Sequence, residues 1–270
     1  MLAGHRETSS PHYDLDGTLE CPEALRPRAR RSELHRGERP QVTVLDHIHH
    51  RVMVSCQAYG DEPLNEPEIM AAMARSVVRG GACAIRAEGV ADLQAAREAV
   101  DVPLVGLEKI GTDGVFITPT LDSALRVAGT GCDILALDGT RRPRPDGRDL
   151  ASTVAGIRER HPTLLIMADC ATRDDAVAAV DAGVDIVGST LAGYTEDRAA
   201  TAGPDLEVLA EMCATVGAPV VAEGRYHTPD DVTAAFAAGA HSVCVGSAIT
   251  HPQRITERFV AAVARRTEQR

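Results

Sequence analysis

Short apolar runs alternate with alanine-rich amphipathic segments along the chain from about residue 42. A glycine, a run of aliphatic residues and then a polar residue recur about every 50 residues, and a second series of apolar runs lies between them. Together they predict eight strands, at 52–57, 81–86, 103–109, 131–138, 164–169, 183–190, 219–223 and 239–246. Their nearly continuous apolar character is typical of parallel strands that are buried on both faces of a sheet.

The segments between these strands have the period of amphipathic helices. They predict seven helices, at 67–79, 91–99, 120–128, 149–160, 173–182, 205–216 and 229–238. Thr172 precedes two aspartates within three residues and Thr228 precedes Pro229, which are signals for the start of a helix. Eight strand–helix units in one stretch predict an α/β fold, the (β/α)8 TIM barrel of the phosphate-binding type. An open doubly wound sheet is the alternative, but no GxGxxG pattern follows the first strand.

Residues 1–41 have a different composition, rich in proline and arginine and with little apolar periodicity. We interpret them as a disordered N-terminal tail that precedes a barrel domain at 42–268. Within the tail, Asp14-Leu-Asp-Gly-Thr-Leu19 matches the nucleophile motif of haloacid-dehalogenase-type phosphatases. The residues after it leave no room for that fold, so we interpret the match as accidental. A phosphatase that uses Asp14 is the alternative outside the barrel class.

Charge and cysteine usage narrow the range of partners. The net charge of −11 at pH 7 argues against a nucleic acid or an anionic membrane as partner. No apolar run approaches the roughly 20 residues of a membrane span, and the N-terminus has no signal-peptide core. The seven cysteines form no CxxC pair, so we expect reduced thiols and a cytoplasmic protein. Asp46-His-Ile-His-His50 matches no zinc-ligand spacing, and we interpret it as a solvated segment rather than a metal site.

Lysine occurs once in the chain, at Lys109, whereas every other member of the 28 lysine and arginine residues is arginine. An arginine guanidinium cannot lose its proton in a protein, but a partly buried lysine amine can. A reaction that needs an amine able to give and take a proton would therefore retain a lysine. The alternative is that Lys109 is a surface residue without a function that is lysine by chance. The apolar run at 103–107, however, predicts that Lys109 lies at the end of a buried strand.

Polar residues follow nearly every predicted strand at its C-terminal end, where TIM barrels carry their active sites. In chain order they are Gln57, Arg86, Lys109, Asp138, Asp169, Thr190, Glu223 with Arg225, and Gly246 with Ser247. Any one of them could be a helix cap or part of a loop ion pair, but so many strand ends together predict a catalytic ring. Gly224, Gly246 and Ser247 follow strands seven and eight, where phosphate-binding barrels hold their anion on backbone amides.

Several longer motifs point to one family. They are Val54-Ser-Cys-Gln-Ala58, Glu68-Ile-Met-Ala-Ala72, Ile117-Thr-Pro-Thr120, Asp138-Gly-Thr-Arg-Arg-Pro-Arg-Pro145, Gly193-Tyr-Thr195, Ala222-Glu-Gly-Arg225 and Gly246-Ser-Ala-Ile-Thr250. In this order the chain closely resembles the bacterial N-acetylmannosamine-6-phosphate 2-epimerases of sialic acid breakdown, over roughly residues 50–260. It departs from the family pattern in a shorter segment after Lys109, at 110–114, and in His251, where the family usually has arginine.

The resemblance implies an isomerase that converts N-acetylmannosamine 6-phosphate to N-acetylglucosamine 6-phosphate without a metal or an organic cofactor. The family's catalytic lysine and carboxylate fall on Lys109 and Glu223. Its sugar contacts fall on Gln57, Arg86, Asp138, Asp169 and Arg225, and its phosphate contacts fall on Gly224, Gly246 and Ser247. The expected partner is a small amino-sugar phosphate, and a homodimer is a further expectation.

The residue types agree with this chemistry. The C2 proton of an open-chain aldose lies α to a carbonyl, so that a base can remove it and leave an enediol-like intermediate. Epimerisation returns a proton to the other face, which requires a base with a pKa near the working pH and a proton donor. Lys109 suits the base, and Arg86 can stabilise the developing oxyanion. Whether Lys109 acts alone or with Glu223 stays open at this point. So do two alternatives, another phosphosugar enzyme such as a Schiff-base lyase and a non-catalytic sugar-phosphate-binding barrel.

Overall fold

Eight parallel strands close into a barrel, in the order in which they follow each other along the chain. The computed structural model describes residues 43–268, so the expected tail at 1–41 and the Asp14 motif lie outside the described residues. The strands are β1 (Val52–Cys56), β2 (Ile85–Glu88), β3 (Leu104–Leu107), β4 (Ile134–Asp138), β5 (Leu165–Asp169), β6 (Ile186–Gly188), β7 (Val220–Glu223) and β8 (Ser242–Val245). Met53 of β1 lies opposite Cys244 of β8, and this pairing closes the circle. The predicted (β/α)8 barrel is confirmed, and the open doubly wound sheet is wrong.

Helices connect the strands and surround the barrel. In the described part of the chain they are α1 (Val44–Ile48), α2 (Pro67–Arg79), α3 (Val90–Ala99), α4 (Leu121–Ala128), α5 (Leu150–Arg160), α6 (Arg173–Asp181), α7 (Leu206–Thr215), α8 (Pro229–Ala237), α9 (Ser247–Thr250) and α10 (Pro252–Glu268). Each of the seven predicted helices is present within one residue of its expected bounds. Thr172 and Thr228 cap α6 and α8, because each hydroxyl accepts a hydrogen bond from the amide three residues later.

Alternate strand positions fill the inside of the barrel. Met53, Val105, Met167 and Val221 belong to the interior cluster, whereas neighbours such as Val54 pack outward against the helices. Successive side chains of a strand point to opposite faces of the sheet. Continuing this alternation to the strand ends therefore directs six of the predicted site residues inward at the C-terminal mouth: Gln57, Arg86, Lys109, Asp138, Asp169 and Glu223.

Helix α1 closes the opposite end of the barrel. Its Ile48 is fully buried in the interior cluster, and Val44 and Leu45 pack against that cluster. The His241 ring nitrogen Nε2 lies 3.0 Å from the Leu45 carbonyl oxygen and ties α1 to the start of β8. The interpretation of 46–50 as a solvated segment is therefore wrong for Ile48. The sequence pattern missed the segment because five residues are too short to show a helical period.

Two further helices, α9 and α10, follow β8 and were not among the predicted elements. Helix α10 keeps much of its apolar surface in solvent, with Phe259 74% and Val260 62% exposed. Over residues 43–268, none of the helices combines the length and the apolar character that crossing a membrane would require.

Candidate active site

The C-terminal mouth of the barrel holds a cavity of about 330 Å³. Most of the predicted site residues line it, namely Gln57, Arg86, Lys109, Glu223, Gly224, Arg225, Gly246 and Ser247. They come from β1, β2, β3, β7 and β8 or from the residues that directly follow these strands. The closed sheet therefore brings together side chains that are far apart in sequence, as the strand-end pattern predicts.

A buried arginine lies at the floor of this cavity. Arg86 is 2% exposed, and its guanidinium donates two parallel hydrogen bonds to Asp169, at 2.6 Å to Oδ2 and 3.1 Å to Oδ1. The same guanidinium makes an ion-pair contact of 3.2 Å with Glu223 Oε2. Thr190 adds a hydroxyl that donates to Asp169 Oδ1 at 2.6 Å. Such paired, bidentate bonds compensate for the loss of hydration that burial imposes on the charges.

The Ser189 hydroxyl holds the backbone of Glu223 in place. Its amide donates to the Ser189 hydroxyl at 3.1 Å, and that hydroxyl donates in turn to the Glu223 carbonyl oxygen at 3.0 Å. Burial raises the pKa of the Glu223 carboxyl, and Arg86 opposes this effect. The carboxyl is therefore able to carry a proton at a higher pH than an exposed glutamate.

The amine of Lys109 is surrounded by the residues that follow β1. Its Nζ donates hydrogen bonds to Gln57 Oε1 at 2.8 Å and to the Tyr59 hydroxyl at 3.0 Å. The pKa of Lys109 is lowered to about 8, first by burial and then by the positive charge of Arg86. An amine with this pKa is partly neutral near neutral pH and can act as a base or as an acid.

The part of the cavity after β7 and β8 has the features of an anion site. Gly224 has a φ of +114°, a conformation that residues with a side chain rarely adopt, and Gly246 and Ser247 begin α9. A second cavity of about 470 Å³ adjoins this end of the mouth. Its wall includes Ser247, Arg258 and Arg254, the last of which is paired with Glu257 at 3.3 Å. Glycine backbone and positive charge are both suited to hold a phosphate.

Two predicted sugar contacts are bonded elsewhere. Asp138 is fully buried on β4, where Oδ1 accepts from the Thr140 hydroxyl at 2.6 Å and Oδ2 accepts from Arg142 at 2.8 Å. The Arg225 guanidinium lines the cavity but donates to carbonyl oxygens of the loop after β6, at 2.8 Å to Ala192 and 3.0 Å to Gly203. Both residues thus shape the loops of the mouth in this structure.

Residues 70–265 match the model of a family described as "Putative N-acetylmannosamine-6-phosphate epimerase". The chain belongs to the N-acetylmannosamine-6-phosphate epimerase family. The match includes the segments that carry Lys109 and Glu223, and it ends within α10.

Individual members of the epimerase family are similar over most of their length. A protein of Cutibacterium acnes is 49% identical over 77% of this chain and 91% of its own, and one of Enterobacter sp. is 47% identical over 82% and 96%. Both carry the description "Putative N-acetylmannosamine-6-phosphate 2-epimerase". Among solved structures, the N-acetylmannosamine-6-phosphate 2-epimerase from Clostridium perfringens is 38% identical and superposes with a TM-score of 0.78, covering 86% of this chain and 100% of that chain.

Tyr59 is a residue of the site that the strand-end pattern does not predict. Tyr59 contacts Lys109 and lines the cavity, yet it lies in the loop beyond β1 rather than at a strand end. A signal was available, because Ser55, Gln57 and Tyr59 continue the alternation of β1 and all three line the mouth. In the described part of the chain, no group of three or more His, Cys, Asp or Glu side chains is placed to hold a metal ion.

Proposed function

We propose that this protein interconverts N-acetylmannosamine 6-phosphate and N-acetylglucosamine 6-phosphate by proton transfer at C2 of the open-chain sugar. One observation carries the proposal beyond family membership. The only amine side chain of the protein, Lys109, shares a cavity with the Glu223 carboxyl, and burial brings the pKa values of the two groups toward each other. Two acid–base groups with converging pKa values are what a proton exchange between two faces of a carbon requires.

The reaction divides into binding, removal of a proton and its return. The phosphate binds to the backbone at Gly224, Gly246 and Ser247. One of the two groups, the neutral Lys109 amine or the Glu223 carboxylate, takes the C2 proton. The C–H electron pair forms the C1–C2 double bond and the carbonyl π pair moves to the C1 oxygen, which gives an enolate, since C2 carries the acetamido nitrogen and no oxygen. The other group returns a proton to C2 from the opposite face, and the carbonyl re-forms. The charge that develops on the C1 oxygen lies near the Arg86 guanidinium, which stabilises it.

The remaining predicted contacts position the sugar. Gln57 and Arg86 line the cavity and suit the oxygens of the substrate. Asp169 is fully buried and bonded to Arg86, so we propose that it orients this guanidinium rather than the sugar. Asp138 accepts a hydrogen bond from Arg142, and Arg225 donates to carbonyl oxygens of the loop after β6. We therefore propose that both residues hold the loops around the sugar. Their direct contact with the sugar stays a prediction.

Proton NMR in D₂O tests the proposed activity. Purified protein with N-acetylmannosamine 6-phosphate should produce N-acetylglucosamine 6-phosphate that carries deuterium at C2. Sodium borohydride added with the substrate should leave Lys109 unmodified, whereas a trapped adduct would indicate a Schiff-base lyase. Binding of the substrate without conversion would indicate a sugar-phosphate-binding barrel, and release of inorganic phosphate would indicate a phosphatase.

The pH dependence distinguishes a two-residue mechanism from a single base. The active state holds one proton on the pair formed by Lys109 and Glu223, because one group must accept while the other donates. Above the Lys109 pKa of about 8 this proton is lost. We therefore expect kcat/KM to fall above about pH 8, in both directions of the reaction. A rise through this range to a plateau would instead mean that Lys109 is the only acid–base group.

The expected homodimer is proposed to form through α10. Phe259 and Val260 expose 74% and 62% of their surface on this helix, and a second copy of the chain would bury them. Light scattering should give twice the 28.6 kDa mass of the chain, and Phe259→Glu should shift the protein toward the monomer mass. A monomer mass for the unmodified protein contradicts this assembly. Val177→Glu, at an exposed apolar position on α6, serves as a matched charge control away from α10.

We also propose that the protein is cytoplasmic and acts in the breakdown of amino sugars. The six cysteines within residues 43–268 are all free thiols, and most of them are buried. Free thiols are typical of a reducing compartment. A sugar phosphate as substrate agrees with this location, because its charge keeps it inside the cell membrane.

A further inference from the structure

Tyr59 lies against the Lys109 amine in two ways. Its hydroxyl oxygen accepts a hydrogen bond from Nζ at 3.0 Å, and its ring centroid lies 4.2 Å from the same nitrogen. The first contact gives the amine a polar partner, and the second gives a cation–π interaction to the ammonium form. The ring also covers the amine on the side of the loop after β1.

Gln57 completes the surroundings of the amine. Its Oε1 accepts from Lys109 Nζ at 2.8 Å and from the Tyr59 hydroxyl at 3.1 Å. Its Nε2 donates to the Ser55 hydroxyl at 2.8 Å, which fixes the orientation of the amide group. Lys109, Gln57 and Tyr59 therefore form a closed triangle of hydrogen bonds whose donors and acceptors are all defined.

This triangle determines where the amine can react. A lysine nitrogen has one bond to carbon and three further directions, each taken by an N–H bond or by the lone pair. Two of these directions donate to Gln57 and to Tyr59. We propose that Tyr59 is a positioning residue for the reaction, because with Gln57 it directs the third position of the Lys109 nitrogen into the cavity. The inference rests on the proposed function and deepens it, since that position carries the lone pair when Lys109 accepts the C2 proton and the N–H when it donates.

The loop that carries Tyr59 is itself anchored. The Tyr59 amide donates to Glu62 Oε2 at 3.2 Å, and the His251 ring nitrogen Nε2 lies 2.7 Å from the same carboxylate oxygen. Asn65 adds a hydrogen bond to the Gly60 carbonyl oxygen at 2.9 Å. Since His251 lies between α9 and α10, the chain after β8 packs against the loop after β1. The hydroxyl thus has its place before a substrate arrives, which is what a positioning role requires.

The Tyr59 hydroxyl keeps its proton under working conditions. Burial, followed by the negative charge of Glu223, raises the pKa of Tyr59 to about 12. The hydroxyl is therefore a neutral acceptor that stabilises the ammonium form of Lys109. The other groups that face the Lys109 amine from neighbouring strands are Arg86 and Glu88 of β2, Asp169 of β5 and Glu223 of β7. All of these remain in place when only the Tyr59 hydroxyl is removed.

Tyr59→Phe removes the hydroxyl and keeps the ring. We expect kcat for epimerisation to fall by about 10-fold or more while KM changes by less than about twofold, because the loss concerns proton transfer rather than binding. We also expect the pKa of Lys109 to fall by about 1, because the ammonium loses a hydrogen-bond acceptor. A merely structural role of Tyr59 would not produce this pKa change.

The pKa can be measured without turnover. Because Lys109 is the only lysine in the chain, protein labelled with ε-¹³C-lysine and free of a lysine-containing tag gives one lysine signal to titrate. Thr215→Val is the control, since it also removes one hydroxyl, which is exposed at the end of α7 and donates only to the Glu211 carbonyl oxygen, at 2.7 Å. We expect this control to keep both the kcat and the Lys109 titration of the unmodified protein.

The outcomes separate the inference from the function on which it rests. A lower kcat together with a lower Lys109 pKa in Tyr59→Phe supports the positioning role. If either quantity keeps the value of the unmodified protein, the positioning role is wrong. If the unmodified protein does not convert the substrate at all, the proposed function fails, and the titration still decides whether Tyr59 contacts Lys109 as described.

Discussion

Lys109→Arg should lose turnover by about 10²- to 10⁴-fold while the protein stays folded. The substitution keeps the positive charge and a donor toward Gln57 and Tyr59, but a guanidinium does not release its proton in a protein. The proton transfer at C2 therefore lacks one of its two acid–base groups. The conversion rate, followed by proton NMR, is the measurement, and far-ultraviolet circular dichroism establishes that the barrel is intact.

A chemical rescue provides the control for this loss. Lys109→Cys should also be inactive, and alkylation with 2-bromoethylamine should restore a primary amine at nearly the length of lysine and recover part of the activity. Alkylation of the unmodified protein under the same conditions measures any effect at its other cysteines, most of which are buried. Substantial turnover by Lys109→Arg, or the absence of any rescue, would contradict a direct proton transfer by Lys109.

Arg86→Met should lower the free energy of unfolding by about 3–5 kcal/mol, the usual cost of removing one partner from a buried ion pair. Asp169 is fully buried, and Glu223 is 14% exposed. In the variant both carboxylates would remain buried without the positive charge of Arg86. Urea denaturation monitored by circular dichroism is the measurement. Turnover should be lost as well, because the enolate oxygen loses its stabilising charge.

The pH dependence of this variant provides an internal check. Burial already raises the pKa of Glu223, and removal of Arg86 takes away the group that opposes this effect. A carboxyl with a raised pKa in the folded state destabilises the fold as pH rises through that pKa. The loss of unfolding free energy that Arg86→Met causes should therefore be smaller at acidic pH.

A surface ion pair gives the matched comparison. Arg173 pairs with Asp174 while both side chains are about half exposed, so Arg173→Met should cost far less stability than Arg86→Met. If Arg86→Met costs no more than Arg173→Met, the ion pairs at the floor of the barrel do not form as described.

The barrel and much of its site follow from local patterns in the sequence. Buried parallel strands consist of apolar runs, and such runs are visible without knowledge of what packs on them. Polar residues at the ends of the runs, such as Arg86 and Lys109, indicate the mouth because parallel strands all point the same way. The absence of any other lysine adds a chemical argument that needs no structure.

Other features depend on contacts that a sequence pattern does not contain. Asp138 and Asp169 occupy equivalent strand ends, yet Asp169 binds Arg86 whereas Asp138 binds Arg142. Which arginine reaches which carboxylate depends on loop geometry, and a strand pattern carries no information on it. The alternation of β1 indicates the face on which Tyr59 lies, but its hydrogen bond with Lys109 depends on the path of the loop after β1.

The pairing of β8 with β1 has a consequence for how activity arises during folding. Site residues come from β1, β2, β3, β5 and β7 and from the turn after β8, so a chain that lacks the last strand cannot present the complete set. Contacts between strands so distant in sequence form late, because a long loop must close first. Recovery of turnover after dilution from urea should therefore follow the slowest assembly step. A circular dichroism signal from the helices should recover earlier than turnover. The delay between the two recoveries then reports the time that β8 needs to pair with β1.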